Sequence, residues 1–381
     1  MPINNTHEMF PEAVHDEQSR QHFIRSLKVH IAQDVMPGND LLYKKKIIPH
    51  FIKQKGRKPN SRKEVRDALS KEKFNKLWSS MLRTSQEMLY ETVRPSIERQ
   101  LPNLINKGKK NFSNKLGSID LNPNLKMPSY HTAVDIHSKP GAYHTEIIEN
   151  DDITAGAEYD RTIHLYFMGQ AGPNNDDMGR STANWIRENF PNHKPINILD
   201  MGCTIGHSTL PYTDYFPNSN VYAIDVAAPC IRYAHHRAEA LSKSIHFSQQ
   251  NAEKTNFPNG KFDLIVSHLM MHETSSKAVR NIYKECYRLL SKNGIMVHVD
   301  VVGQSDVYSK YFTEWNAHYN AEPYLGTIQD ENFLDITCNA GFSKSSFFDG
   351  NAPSIYISNS EKGEGKGFGS YHLVGAIKNR I

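Results

Sequence analysis

Two acidic residues end two neighbouring apolar segments, and a glycine-bearing turn lies between them. The segment 196–200 ends on Asp200 and leads into a turn that contains Gly202 and Gly206, and the segment 221–225 ends on Asp225. Glycine lets the backbone approach a ligand closely, and a helix that follows such a turn presents free N–H groups. A carboxylate at the tip of the second strand can accept hydrogen bonds from both ribose hydroxyls. The pair therefore predicts a nucleoside site.

The turn also discriminates between nucleoside cofactors. A dinucleotide fingerprint reads GxGxxG, whereas this turn reads DxGxxxG, with Thr204 where a middle glycine would stand. The carboxylate of Asp200 would repel a pyrophosphate but would attract the cationic amino-acid end of S-adenosyl-L-methionine. The pattern therefore disfavours NAD.

The elements that must position these residues alternate between short apolar strands and helices. Strands are predicted at 196–200, 221–225, 245–249, 262–267 and 295–300, with helices near 206–215, 229–242, 270–273 and 277–291. Helices are also predicted at 153–168 and 177–189, and two final strands at 343–349 and 371–378. This alternation is typical of a parallel, doubly wound α/β sheet. The Gly/Ser/Lys-rich loop at 358–370 is expected to be mobile.

These motifs resemble the class I S-adenosylmethionine-dependent methyltransferases, in particular their small-molecule, ubiquinone-biosynthesis-like ("type 11") group. The resemblance rests on the DxGxxxG turn, on Asp225, on FDLIVSHLMMHE at 262–273 and on KAVRNIYKECYRLLSKNGIMVHVD at 277–300. It covers residues 150–303 and extends to the terminal hairpin 343–378. It implies an α/β fold with a doubly wound, seven-stranded, mostly parallel sheet whose last strand is antiparallel.

The resemblance also implies roles for individual residues. The cofactor site would comprise Asp200, Gly202, Cys203 and Gly206 under the methionine moiety, Asp225 at the ribose, Val226, Asn251 and Ala252 around the adenine, and His268, between Ser267 and Leu269, on the methyl-transfer face. Thr204 stands where the family usually has a glycine, so the resemblance does not define the backbone geometry of this turn.

Methyl transfer needs a nucleophile aligned in line with the sulfur–methyl bond and shielded from water, and alignment alone can supply ~7–11 kcal/mol. A base helps if the acceptor is a hydroxyl or a phenol. His272, just beyond the fourth strand, is the first candidate for this base, with Glu273 as its orienting partner. The alternatives are that His272 only caps or packs the next helix, or that His268 is the base.

Aromatic residues suggest an acceptor pocket. Tyr308, Phe312, Trp315 and Tyr319 share one face of a predicted helix, and they either form a core stripe or contact an apolar or aromatic acceptor. Other candidates precede the core, where related enzymes place segments that fold over the cofactor. These are Tyr143, His144, Tyr159 and Arg161.

The composition limits the alternatives. The chain has 381 residues, four scattered cysteines without metal-like spacing, and no apolar run long enough to span a membrane. We expect a cytoplasmic protein without a bound metal.

The net charge of +4 is concentrated between Lys44 and Lys73, where there are twelve Lys/Arg and three Asp/Glu. This segment keeps open an RNA methyltransferase, although a small-molecule acceptor is favoured because no NPPY-like motif or cysteine follows the fourth strand. A non-catalytic scaffold on a methyltransferase core is the third alternative.

The chain divides into four regions by pattern. We expect a mainly helical cap or substrate region at 1–150, an S-adenosylmethionine-binding core at 151–303, an aromatic-rich insertion at 304–342 and a β-hairpin at 343–381 that completes the sheet. The clearest N-terminal helix covers 76–101, and Pro95 is expected to kink or divide it. The stretch at 103–130 is predicted to be loop.

Overall fold

A sheet of eight strands forms the centre of the computed structural model, which describes residues 7–110, 116–302, 306–356 and 369–379. The strands are β1 Ser118–Asp120, β2 Asn197–Met201, β3 Asn220–Asp225, β4 His246–Gln249, β5 Phe262–His268, β6 Leu290–Val299, β7 Phe347–Pro353 and β8 Ser370–Ile377. Their spatial order is β1-β4-β3-β2-β5-β6-β8-β7, and only β8 runs antiparallel to its neighbours. The predicted doubly wound α/β fold with an antiparallel last strand is confirmed.

The eighth strand, β1, corrects the prediction that 103–130 is loop. β1 pairs in parallel with β4, with Ser118 opposite His246, and the Ser118 N–H donates to the Ile245 carbonyl at 3.1 Å. The edge of β4 would otherwise present unpaired backbone groups, so even three residues gain hydrogen bonds there. The stretch lacks the apolar alternation that marks a strand in a sequence.

Fourteen α-helices occur in the described residues. They are α1 His15–His30, α2 Met36–Leu42, α3 Ile48–Lys55, α4 Arg62–Leu69, α5 Lys73–Lys110, α6 Ser129–Thr132, α7 Thr154–Tyr166, α8 Asp177–Asn189, α9 Pro211–Tyr215, α10 Ala228–Ala240, α11 Ser276–Leu289, α12 Val307–Tyr319, α13 Leu325–Ile328 and α14 Phe333–Ala340. Two π-helical segments, Ile31–Val35 and Tyr43–Ile47, connect α1 to α2 and α2 to α3. Short 3₁₀ turns lie at Ile136–Ser138, Met271–Glu273 and Lys344–Ser346.

Helix α5 is longer than predicted and is not divided at Pro95. Its 38 residues include both Pro95 and Pro102. An interior proline costs a helix about 3 kcal/mol, but Val93 and Ile97, on either side of Pro95, are completely buried. Tertiary packing of this apolar face stabilises the helix through the proline.

The N-terminal helices and the sheet share apolar contacts. Leu89, Val93 and Ile97 of α5 belong to one buried cluster with Leu165 of α7 and Tyr233 of α10. Two other clusters cover the faces of the sheet, one beneath α11 and α14 and one beneath α8 and α10. The helical region therefore sits against the core beside the carboxyl ends of the central strands.

Two expectations concern the rest of the chain. The loop predicted at 358–370 lies outside the described residues except for Gly369 and Ser370. Within the described ranges, none of the helices combines the length and apolar character needed to cross a membrane.

Candidate active site

The turn after β2 has the close packing that glycine permits. Gly202 has a φ of +76°, and a Cβ there would lie 2.6 Å from Cγ of Met270. Thr204 also adopts a left-handed φ, +49°. Its N–H donates to Asp225 Oδ2 at 2.9 Å, so a backbone hydrogen bond stabilises the conformation that glycine would adopt more easily.

A cavity of about 480 Å³ opens at the carboxyl ends of the central strands. Its wall combines the ends of β2, β3 and β5 with α7 and with the segment 130–143, which precedes the core in the chain. The predicted residues in this wall are Tyr143, Tyr159, Asp200, Gly202, Cys203, Asp225, Val226, Asn251, Ala252, His268, His272, Glu273 and Phe312. One space therefore brings together the residues assigned to cofactor, catalysis and acceptor.

Several predicted residues lie outside this wall. Gly206 lies behind it, where a Cβ would be 3.2 Å from Cζ of Phe247. His144 is close to His131, with ring centroids 5.2 Å apart, but does not reach the cavity. Arg161 is buried elsewhere, where it donates to Gln21 Oε1 at 2.8 Å and to the Pro11 carbonyl at 2.9 Å.

Three members of the aromatic stripe on α12 contact the N-terminal helices instead of the cavity. Tyr308 stacks on Tyr43 with ring centroids 4.4 Å apart. The Trp315 Nε1–H donates to Ser79 Oγ at 2.9 Å, and Tyr319 packs in the apolar cluster around α5. These side chains form the core stripe that the helical spacing allowed, and their assignment to the acceptor is corrected.

The cofactor end of the cavity contains a buried carboxylate, Asp200, and a half-buried one, Asp225, each with capacity to accept further hydrogen bonds. Asp200 Oδ2 accepts from Thr209 Oγ1 at 2.5 Å, whereas Asp200 Oδ1 makes no hydrogen bond and lies 3.4 Å from His268 Nδ1. Asp225 accepts from the N–H groups of Thr204 and Ala227, each at 2.9 Å. Burial raises the pKa of Asp225, and these N–H groups oppose the rise. An amino group at Asp200 and ribose hydroxyls at Asp225 would satisfy this arrangement, so the residues fit S-adenosylmethionine.

A chain of alternating carboxylates and imidazoles crosses the other end of the cavity. His272 Nδ1 is 2.6 Å from Asp300 Oδ1, and His272 Nε2 is 3.4 Å from Glu273 Oε1. The same Glu273 oxygen lies 2.7 Å from His137 Nε2, and His137 Nδ1 lies 3.7 Å from Glu322 Oε1. We call these five residues the ionic chain. Its members come from four separate parts of the sequence.

The ionic chain determines which groups carry protons. Burial lowers the pKa of His272, but the charge and hydrogen bond of Asp300, together with Glu273, outweigh it and hold this pKa well above 6.5. His137 follows the same pattern: burial lowers its pKa, and Glu273 and Glu322 raise it above the ordinary value. Burial raises the pKa of Glu273, yet His137 and His272 hold it well below 4.5. These shifts favour the protonated form of both imidazoles and the ionised form of Glu273.

Four tyrosines of the cavity wall are linked to one another and to the ionic chain by ring and hydroxyl contacts. Tyr90 Oη and Tyr143 Oη are 3.3 Å apart, and the rings of Tyr143 and Tyr159 meet edge to face at 5.5 Å. Tyr166 lies edge to face with His137 at 6.3 Å. We call Tyr90, Tyr143, Tyr159 and Tyr166 the tyrosine chamber.

Sequence reasoning missed most of these partners. Asp300 carried a usable signal, because it ends a predicted strand beside β5, and the ends of adjacent parallel strands meet at one sheet edge. His137 and Glu322 carried none, because neither belongs to a motif and each is far in sequence from Glu273. The structure also adds His131 and His207 to the wall.

The basic segment 44–73 is largely paired with acids. Seven of its cationic side chains form ion pairs: Lys44 with Asp40, Lys46 with Glu72, Lys55 and Arg57 with Glu64, Lys63 with Asp67, Arg66 with Glu314, and Arg62 with Glu314 and Asp330. Cations engaged in this way are less available to phosphates.

The central part of the chain is similar to known proteins. Residues 198–294 match the family described as "Methyltransferase domain". Over 108 residues the chain is 31% identical to the uncharacterised protein RP789 of Rickettsia prowazekii, covering 28% of this chain and 20% of that protein. Over 144 residues it is 26% identical to a demethylmenaquinone methyltransferase of Thermus thermophilus, covering 36% and 62%.

Among solved structures, the chain is similar to one titled as the plantazolicin methyltransferase BpumL in complex with SAH. It is 16% identical with a TM-score of 0.42, and the match covers 58% of this chain and 90% of that one. The chain spans about a fifth to three fifths of the length of the curated relatives it matches. The segment 198–294, which contains Asp200, Asp225 and Glu273, is similar to the methyltransferase-domain family, and this match agrees with the resemblance to the class I methyltransferases.

Proposed function

We propose that this protein transfers a methyl group from S-adenosyl-L-methionine to a small molecule with an apolar or aromatic portion. The carrying observation is that Asp200 and Asp225 share one cavity, where Asp200 Oδ1 is buried with only His268 Nδ1, 3.4 Å away, beside it. A buried carboxylate oxygen without a well-placed donor costs free energy, so the arrangement favours a ligand that supplies one. Both aspartates lie in the segment 198–294, which matches a methyltransferase domain.

The residues of the cavity divide into a cofactor end and an acceptor end. Asp200 would bind the amino group of the cofactor, Asp225 the ribose, and Asn251 the adenine. When bound, the cofactor supplies an activated methyl group on a positively charged sulfur. His268 contributes to the wall between the two ends, and its Nε2 lies 3.2 Å from Tyr212 Oη, which fixes the ring.

At the acceptor end the structure favours roles for His272 and Glu273 that differ from those expected. Because Asp300 raises the pKa of His272 well above its usual value, the imidazole is unsuited to remove a proton and instead fixes the Glu273 carboxylate. Glu273 Oε1 faces the two imidazoles, whereas Glu273 Oε2 has no hydrogen-bond partner among the described residues. Glu273 Oε2 is therefore the oxygen that would contact the acceptor, and His272 is its positioning residue.

The first experiment is calorimetric titration of the full chain with S-adenosylmethionine and with its demethylated product. We expect both ligands to bind the parent chain with micromolar affinity. The Asp225→Ala variant should bind the demethylated product more weakly than the parent chain does. A chain that binds neither would favour the scaffold alternative and would overturn the proposal. A crystal grown with the demethylated product should show the sugar at Asp225.

The RNA alternative is separated by a second measurement on the same sample. If RNA binds tightly, if the affinity falls steeply with salt and if replacing Lys44, Lys45 and Lys46 by glutamine abolishes it, the acceptor is RNA. We expect weak binding instead, because Lys44 and Lys46 are already paired with Asp40 and Glu72.

A further inference from the structure

The charges on the cavity wall restrict the acceptor. Among the described residues that form the wall, four are carboxylates, and none is a lysine or an arginine. Asp200 and Asp225 belong to the cofactor end, which leaves Glu273 and Glu322 beside the acceptor. Anionic groups such as phosphate are normally bound by Arg or Lys side chains. A carboxylate or phosphate acceptor would therefore meet like charges without a compensating cation of that kind.

The imidazoles of the ionic chain do not change this conclusion. His137 and His272 are each engaged between two carboxyl groups, so neither offers an unpaired cation to an anionic acceptor. Burial raises the pKa of Glu322, whereas His137 and His272 hold the pKa of Glu273 low, so Glu273 is the main source of negative charge in the ionic chain. Lys28 lies outside the wall, where its Nζ donates to Gln86 Oε1 at 3.0 Å and lies 4.9 Å from the Tyr166 ring centroid. Burial lowers the pKa of Lys28 to about 8, although Glu322 opposes this fall.

The rings of the tyrosine chamber are suited to contact a cation. Aromatic faces attract cations within about 6 Å, and rings that converge on one space are suited to an ammonium group. One chamber ring already contacts a cation of the protein itself, because Lys139 Nζ lies 5.9 Å from the Tyr143 ring centroid. Burial raises the pKa values of all four tyrosines, so the phenols stay neutral and keep their hydroxyl protons.

We propose that the acceptor is an amine, bound as an ammonium group among the rings of the tyrosine chamber with its positive charge beside Glu273 Oε2. This inference rests on the proposed function and names its substrate class. The apolar or aromatic portion of the same molecule would contact Phe312 and the remaining rings of the wall.

Methylation of an amine requires the nitrogen lone pair. The ammonium first releases one N–H proton to water, because Glu273 is too weak a base to keep it. The nitrogen–carbon bond then forms as the sulfur–carbon bond of the donor breaks, and the positive charge passes from sulfur to nitrogen. The methylated product is again a cation, so the same carboxylate and rings bind it.

The test uses three probes of the same shape and different charge. Choline, 3,3-dimethylbutan-1-ol and 3,3-dimethylbutanoate are a cation, a neutral molecule and an anion, and each is titrated calorimetrically into the full chain saturated with the demethylated cofactor. We expect choline to bind about tenfold more tightly than the alcohol, and the anion to bind most weakly. If the alcohol or the anion binds as tightly as choline, or if choline does not bind, the amine proposal is overturned.

Variants locate the binding. Tyr159→Leu should weaken choline binding roughly 3- to 30-fold, whereas Tyr159→Phe, which keeps the ring, should retain it. Tyr308→Leu, outside the wall, is the matched control and should leave choline affinity unchanged. Equal affinities of Tyr159→Leu and the parent chain for choline would contradict the chamber as the site. Cofactor binding is measured first on every sample, so failure of the proposed function is distinguished from failure of the amine inference.

Discussion

His272 Nδ1 lies 2.6 Å from Asp300 Oδ1, and this contact ties the end of β6 to the 3₁₀ turn that follows β5. Asp300 also accepts the backbone N–H groups of Met271 and Val301, at 2.9 Å and 2.7 Å. The aspartate therefore fixes both the position and the charge of the imidazole. The same contact makes His272 a positioning residue for Glu273.

The raised pKa of His272 predicts a pH-dependent contribution to stability. A histidine whose pKa is higher in the folded state stabilises the fold fully below its unfolded value of about 6.5. The contribution declines as the pH rises through the higher folded-state pKa. His272→Gln should therefore lower the free energy of unfolding more at pH 6 than at pH 10, as measured by urea denaturation. The exposed His30→Gln is the control, and an equal loss at both pH values for His272→Gln would contradict the assignment.

Glu273→Gln should reduce turnover while leaving cofactor affinity nearly unchanged. The substitution keeps the shape of the side chain but removes the charge that His137 and His272 hold in place. We expect kcat to fall roughly 10- to 100-fold, because a hydrogen bond to a charged group contributes about 1.5–3 kcal/mol. The control is the affinity for the demethylated cofactor, measured by calorimetry, which should be the same in the variant and the parent chain. A parallel loss of cofactor affinity would place Glu273 at the cofactor end instead.

His272→Ala should act in the same direction, with a smaller effect on binding than on turnover. Loss of the imidazolium leaves Asp300 and Glu273 facing each other without a cation between them. The pKa of Glu273 should then rise, which shifts the acidic limb of the pH–rate profile to higher pH. Unchanged turnover and an unchanged profile would reduce His272 to a packing residue.

The sequence specified the fold more completely than the site. Strands β2 to β6 and the DxGxxxG turn could be predicted because their signals are local: apolar runs, glycine spacing and an acid at each strand tip. The ionic chain could not, since His137 lies 136 residues from Glu273 in the chain and meets it only through tertiary packing. Trp315 shows the limit of a local signal. Helical spacing predicts which face of α12 carries Trp315, but it does not predict which part of the protein packs against that face.

Thr204 tests whether the departure from glycine matters. Its φ of +49° is unfavourable for a side chain with a Cβ by about 1–2 kcal/mol. Thr204→Gly relieves this strain but increases the freedom of the unfolded chain, whereas Thr204→Ala keeps the strain. We expect Thr204→Gly to be more stable than Thr204→Ala by about 0.5–1 kcal/mol in thermal or urea unfolding. Cofactor affinity should match the parent in both, because the contact to Asp225 is made by the backbone N–H.

Substitutions on α12 should distinguish Trp315, which packs against the N-terminal helices, from Phe312, which also lines the cavity. Trp315→Leu removes the Nε1–H hydrogen bond to Ser79 and part of the apolar contact with the N-terminal helices, without touching the cavity. It should lower the free energy of unfolding by about 2–3 kcal/mol and leave KM for the acceptor unchanged. Phe312→Leu changes the cavity wall as well as the packing on Trp78, whose ring lies 5.1 Å away. Phe312→Leu should therefore raise KM at a comparable loss of stability, and an equal rise in KM for Trp315→Leu would return that side chain to the acceptor site.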